Sequence, residues 1–370
     1  MLSERGDYMK CGRKTYLDNI RLFGVLLVLV YHVFYIYNGL GVIGGIPVEK
    51  SIGIFDDFST IVYPWMMILL FVAAGIAAQS SLNKRSGREY IGERALKLIV
   101  PSTLGLFVIH WVTGYLNICF GGGLDTIPGF LLYPISVLAG SGHLWFAHVL
   151  FLYSVVLLCI KRPLEKLYVL GERANLLICI SMGILIWLGA QVLNMPVITV
   201  YRFGIYFIAF LIGYCVLSHK CVMERLEKAR YISLVFTLVL GIIYFVSFQK
   251  TDYTAPYILK NIITNCYAWG AVLSIFGFAK RYFDVENAII RYLSVNSYGY
   301  YVLHYPVLMV VAYLLHIYTN FNIVTKVVLT LIFEIILTFT VNEIIKKIPF
   351  IRYLVLGIKN RRKNEIQTDN

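Results

Sequence analysis

The sequence predicts an all-α, polytopic membrane helix bundle of about ten transmembrane helices with both termini cytoplasmic. Three observations predict it. The 370 residues are 59% hydrophobic and only 14% charged, with a mean hydropathy of +0.74, whereas a soluble domain has roughly a quarter of its residues charged. Apolar runs that approach or reach the roughly 20 residues needed to cross a bilayer recur along the whole chain. The basic residues fall in alternate loops, which is how a membrane protein encodes its orientation.

The runs lie near 18–38, 58–80, 97–117, 143–160, 175–193, 199–218, 231–248, 258–279, 295–316 and 323–345. Ten spans of this length use about 200 residues, so the loops are short and no soluble domain is large enough to house a separate activity. Chemistry must therefore be built from helix residues and loops at the membrane, and each intramembrane ionisable group is a candidate. The chain divides into a cytoplasmic N-terminal segment 1–17, a membrane domain 18–345 and a basic cytoplasmic tail 346–370. The first run, 22–37, follows a polar stretch without a small-residue cleavage pattern and reads as a retained span. No internal repeat marks two inverted transporter halves.

The net charge of +13 raises the possibility of a nucleic-acid partner, and its distribution argues against one. One set of loops carries clusters such as Lys84, Arg85, Arg88 and Arg94, while the other carries only Lys50, Arg202, Lys250, Lys260 and Lys326. That alternation is topogenic and places both termini in the cytoplasm, in agreement with the even number of spans. The expected partners are membrane lipids and not nucleic acid. The seven cysteines form no CxxC pair, and neither a disulfide framework nor a metal site is expected.

Between the third and fourth runs, 120–141 is rich in Gly and Pro and reads as an irregular outer loop. It serves equally well as a plain connection or as a wall of an acceptor site.

The first run contains Asp18, Arg21 and His32. Eleven residues at about 100° each bring His32 back to within about 20° of Arg21, so the two share a helix face, and the rise between them is about 16 Å. Asp18 pairs with Arg21 one turn away and lowers the cost of a cation near the boundary. His32 is carried deep into the hydrocarbon layer. Snorkelling of Arg21 and interior packing of His32 is the competing account.

Arg94 and Lys97 stand three apart at the cytoplasmic start of the third run. The spacing suits phosphate contacts and ordinary anchoring alike. His143 and Trp145 open the fourth run, where Trp145 suits an interfacial belt and His143 an interface position. The ninth run places His304 about ten residues from its cytoplasmic end, followed by Pro306. His110 and His148 are lone imidazoles on apolar runs and read as packing residues.

Taken in order on ten spans, these segments resemble the acyltransferase-3 family of integral membrane O-acyltransferases, over nearly the whole chain. The family's first-span Arg and His separated by ten residues correspond to Arg21 and His32, and its preceding Asp to Asp18. Its basic RxxR corresponds to Arg94 with Lys97 in the second place, which keeps charge and loses the bidentate fork. Its GHLWF corresponds to 142–146, and its late SYG and LH to Ser297, Tyr298, Gly299 and His304. A small residue common soon after the Arg is displaced to Gly24.

The resemblance implies an acyltransferase of the cell membrane that takes an acetyl or succinyl group from cytoplasmic acyl-CoA, a co-substrate, to a hydroxyl of an envelope carbohydrate or lipid-linked sugar. Arg21, Arg94 and Lys97 would then hold the donor's phosphates. His32 would act as general base, with Arg21 and Asp18 completing the catalytic group. His143, Trp145, Ser297, Tyr298 and His304 would lie on the substrate side. Export or flipping of a glycan intermediate without chemistry is the alternative on the same helices.

Overall fold

The protein is described by a computed structural model over residues 15–39, 52–195 and 200–359, and among these residues it is a helix bundle without strands. The helices are α1 Thr15–Ile36, α2 Gly53–Leu82, α3 Gly87–Phe120, α4 Gly129–Ala139, α5 Trp145–Gly171, α6 Leu176–Gly189, α7 Phe203–Leu217, α8 Lys220–Lys228, α9 Arg230–Phe248, α10 Ile262–Tyr282, α11 Ala288–Tyr318, α12 Ile323–Lys347 and α13 Pro349–Leu356. Each of the ten apolar runs coincides with a helix. Among the described residues eight helical stretches are long and apolar enough to cross a membrane, nine if α7 and α8, bent by 97°, count as one. The tenth, α6, has 14 residues and spans only about 21 Å.

Asparagine starts several of these helices for a local reason. Asn175, Asn261, Asn287 and Asn322 each accept a backbone N–H from the first turn of α6, α10, α11 and α12, which satisfies a donor that has no partner inside the helix. Ser86 and Glu89 do the same reciprocally at the start of α3.

Proline inside α2 frees a carbonyl, and a neighbouring side chain takes it up. Pro64 in α2 has no N–H for Thr60, and the Tyr244 hydroxyl of α9 donates to the Thr60 carbonyl at 3.1 Å. Tyr267 of α10 donates to Ile61 one residue further on, at 2.9 Å. In lipid such a carbonyl has no water to turn to, so the tyrosines also fix how the helices cross.

One expectation changes, and two features add to the rest. The segment 120–141 is not an irregular loop. Only 121–128 connects, and α4 and α5 run as one stretch, Gly129–Gly171, so the fourth span starts 14 residues before His143. Gly140 of this segment and Gly114 of α3 are packing positions: a Cβ on Gly114 would lie 1.9 Å from the Ser136 carbonyl, and one on Gly140 2.0 Å from the His110 carbonyl. They bring α3 and α4 into backbone contact, the use small residues have in membranes. The sixth run is bent at its basic end, where amphipathic α8 follows. The tail beyond 345 is partly ordered, because α12 continues to Lys347 and α13 folds back onto α3. Residues 1–14 and 360–370 of the two terminal segments lie outside the described residues.

Candidate active site

At the end of the bundle that carries the basic clusters, α1, α2, α3, α5, α11 and α12 line a cavity of about 600 Å³. Arg21, Arg94 and Lys97 all line it, as do Ser297, Tyr298 and Gly299. Asp18 pairs with Arg21, and Arg85 pairs with Glu93 at 3.2 Å. Arg94 and Lys97 have no carboxylate partner among the described residues, and Arg94 lies over the Tyr90 ring at 5.1 Å. Lys97 sits in a widened, π-helical turn, Ala95–Ile99. Such turns recur where a helix presents a functional residue. Two cations without acids leave the cavity net positive, an anion site by simple electrostatics.

The opposite wall depends on one glycine. A Cβ on Gly299 would lie 2.1 Å from Oδ1 of Asn342, so only glycine lets the Asn342 side chain sit there. Lys346 donates to Asn296 at 2.9 Å and pairs with Glu343 at 2.8 Å, which ties α12 to α11. The Tyr298 hydroxyl is buried at this wall without a partner among the described residues.

Deeper along α1 and α11 the cavity ends at Val25, Phe146 and Tyr301. Beyond it four histidines meet. Ring centroids are 5.0 Å apart for His32 and His304, 5.5 Å for His304 and His143, and 4.9 Å for His143 and His110. Val25 is seven residues, or about 10 Å, short of His32 on the same helix.

The hydrogen bonds define which nitrogens carry protons when the rings are neutral. A carbonyl only accepts, so the Nδ1–H of His304 donates to Tyr301 at 2.6 Å and the Nδ1–H of His32 to Val28 at 2.9 Å. His304 Nε2 then carries a lone pair and lies 3.2 Å from His32 Nδ1, sharing the same proton. Nε2 of His32 keeps a free lone pair. Pro306 supplies the next link: it has no N–H for the Val302 carbonyl, and His143 Nε2–H donates to that carbonyl at 3.2 Å. The Tyr301 hydroxyl donates to the His143 carbonyl at 2.6 Å.

The family model described as "Acyltransferase domain" matches residues 14–342. The chain belongs to the acyltransferase-3 family. No curated protein and no solved structure matches it. It is a multi-pass membrane acyltransferase.

Within this acyltransferase the predicted site residues divide into two groups. Asp18, Arg21, Arg94, Lys97, Ser297 and Tyr298 meet at the basic cavity, so Ser297 and Tyr298 stand with the cations rather than with the substrate-side histidines. His32, His143 and His304 meet in the interior. His143 and Trp145 are buried inside the bundle. His143 is 4% and Trp145 8% exposed, with Trp145 packed on Tyr206 at 5.3 Å, because the fourth span begins well before them.

His110 reads from the sequence as a packing residue, and Glu334 is not singled out there. His110 is fully buried beside His143, with neither ring nitrogen partnered among the described residues, and it is delivered there by a second π-helical turn, Leu106–His110. That turn leaves no mark in the sequence. Glu334 of α12 is fully buried with both carboxyl oxygens unpartnered among the described residues. Its signal was present: an acid within an apolar span, flanked at four-residue spacing by Thr330, Thr338 and Asn342, all buried.

Proposed function

We propose that this acyltransferase takes an acetyl or succinyl group from cytoplasmic acyl-CoA and transfers it to a hydroxyl of a cell-envelope carbohydrate or lipid-linked sugar on the outer side of the cell membrane, with His32 as general base. The observation that carries this reading is the alignment on α1 of the basic cavity at Arg21 with the free Nε2 of His32 about 16 Å deeper. The phosphates of CoA suit the excess charge of Arg94 and Lys97, and its extended thioester arm is long enough to pass Val25 and Tyr301.

Nε2 of His32 takes the proton of the acceptor hydroxyl as its oxygen attacks the thioester carbon. The tetrahedral intermediate collapses, the carbon–sulfur bond breaks, and the thiolate of CoA receives that proton from the imidazolium. No proton is gained or lost overall. His304 holds the His32 ring through the shared Nδ1 proton, the orienting role familiar from other base–orienter pairs. With its own N–H given to Tyr301, His304 has none left for an oxyanion, and a positioning role suits it better.

The test is transfer of radiolabel from acetyl-CoA or succinyl-CoA, supplied to inverted vesicles containing the protein and total cell glycans. Label in glycan that disappears with His32→Ala is the expected result. Glycan that crosses the membrane without acquiring label would replace this reading with export.

A further inference from the structure

On the side of His32 away from the basic cavity, four separate elements bring tyrosines together. Tyr31 and Tyr35 come from α1, Tyr63 from α2, Tyr305 from α11, and Tyr253 from the connection between α9 and α10. Ring centroids are 6.0 Å apart for Tyr31 and Tyr63, 5.0 Å for Tyr63 and Tyr253, and 5.1 Å for His32 and Tyr305. Tyr31 and Tyr253 join hydroxyls at 3.3 Å.

Two features set this cluster apart from ordinary core. His32, Tyr35, Tyr63 and Tyr305 are only partly buried, while Tyr31 and Tyr253 beside them are buried. The three partly buried tyrosines therefore keep some accessible surface beside His32. The second feature is the Tyr63 hydroxyl, buried without a hydrogen-bond partner among the described residues. Leaving a buried hydroxyl unsatisfied costs stability, and phenylalanine would fill the same space without that cost. Nearby, Arg202 is 4% exposed and donates to the Leu259 carbonyl at 2.8 Å, with no acidic partner among the described residues. A purely apolar occupant, such as a lipid tail, would use neither the hydroxyl nor the charge.

We propose that this tyrosine cluster is the acceptor site and that its occupant is a pyranose sugar, its ring against the tyrosine faces and one of its hydroxyls bonded to Tyr63. The proposal rests on the acyl-transfer reading above and adds where the acceptor sits. Aromatic walls with a few placed polar groups are the usual construction of a small-molecule site, and tyrosine offers both a flat face and a polar tip. A sugar here would present its hydroxyl to His32 from the side opposite the donor, so neither substrate blocks the other.

The experiment uses the full chain in vesicles. In Tyr63→Phe, thermal stability should be unchanged or raised and acyl-CoA binding unchanged. Transfer to total envelope glycan should fall about 3- to 10-fold in acceptor kcat/KM, the value of one neutral hydrogen bond. Wild-type transfer in this variant overturns the proposal, and so does a loss of stability or donor binding that accounts for the defect. A second readout needs no chemistry: Tyr63→Cys, in a background without the other cysteines, should react with a membrane-impermeant thiol reagent added outside and be protected by the same glycan fraction. Failure to react, or reaction that glycan does not slow, also overturns it. If the wild type transfers no acyl group yet glycan still protects, the reading of the chemistry falls and the sugar site stands.

Discussion

The basic cavity gives an ordered set of donor affinities. Arg94 is partly buried and has no acidic partner among the described residues, so Arg94→Ala removes a charge-assisted contact to a donor phosphate, worth about 1.5–3 kcal/mol, or about 10- to 100-fold in Kd. Lys97 is exposed, and solvent screening reduces its contribution to about 0.2–1 kcal/mol, no more than about five-fold. Arg85 already pairs with Glu93 at 3.2 Å, so Arg85→Ala should cost less than either. Equilibrium binding of labelled acetyl-CoA to the purified protein at low and high salt measures all three, and the Arg94 and Lys97 defects should shrink as salt weakens binding in the wild type. A defect in Arg85→Ala as large as in Arg94→Ala would refute the reasoning, as would unchanged donor affinity accompanied by weaker acceptor use.

Further consequences follow from the cavity wall and the orientation. Gly299→Ala places a methyl where Asn342 Oδ1 now sits, an overpacking cost of about 1–3 kcal/mol that should lower the melting temperature and weaken donor binding. Asn342→Ala in the same chain should restore much of both, and a double variant no better than Gly299→Ala would remove this contact as the cause. Single cysteines placed near Lys84 and near Thr126 should label from opposite faces of the membrane, and labelling from the same face would undo the assignment of the basic end to the cytoplasm.

Much of the fold was legible because lipid imposes simple rules on sequence. Apolar runs and alternating basic loops located the helices, and the eleven-residue step from Arg21 to His32 placed both on a line that the structure keeps. What failed was the use of soluble-protein punctuation inside a membrane. Gly140 and Pro134 read as loop formers, yet Gly140 packs against the His110 carbonyl of α3 and Pro134 lies within α4, and this reading started the fourth span at His143 rather than at Gly129. The π-helical turns that present Lys97 and His110 change a helix by less than one residue per turn and have no sequence mark. Glu334 could have been found by the rule that singled out His32. The tyrosine cluster could not, since its members come from four elements and only packing brings them together.

The central claim is that Nε2 of His32 takes the acceptor's proton, and single-turnover transfer by His32→Gln tests it most directly. Glutamine preserves a hydrogen-bonding side chain but cannot take up a proton near neutral pH. Preloading the purified variant with labelled acyl-CoA and adding acceptor glycan should give transfer slower by about 10² to 10⁴ than wild type, the usual contribution of a positioned general base, with donor affinity and melting temperature preserved. Transfer within a few-fold of wild type would contradict the claim and leave His32 as a residue that only positions substrate.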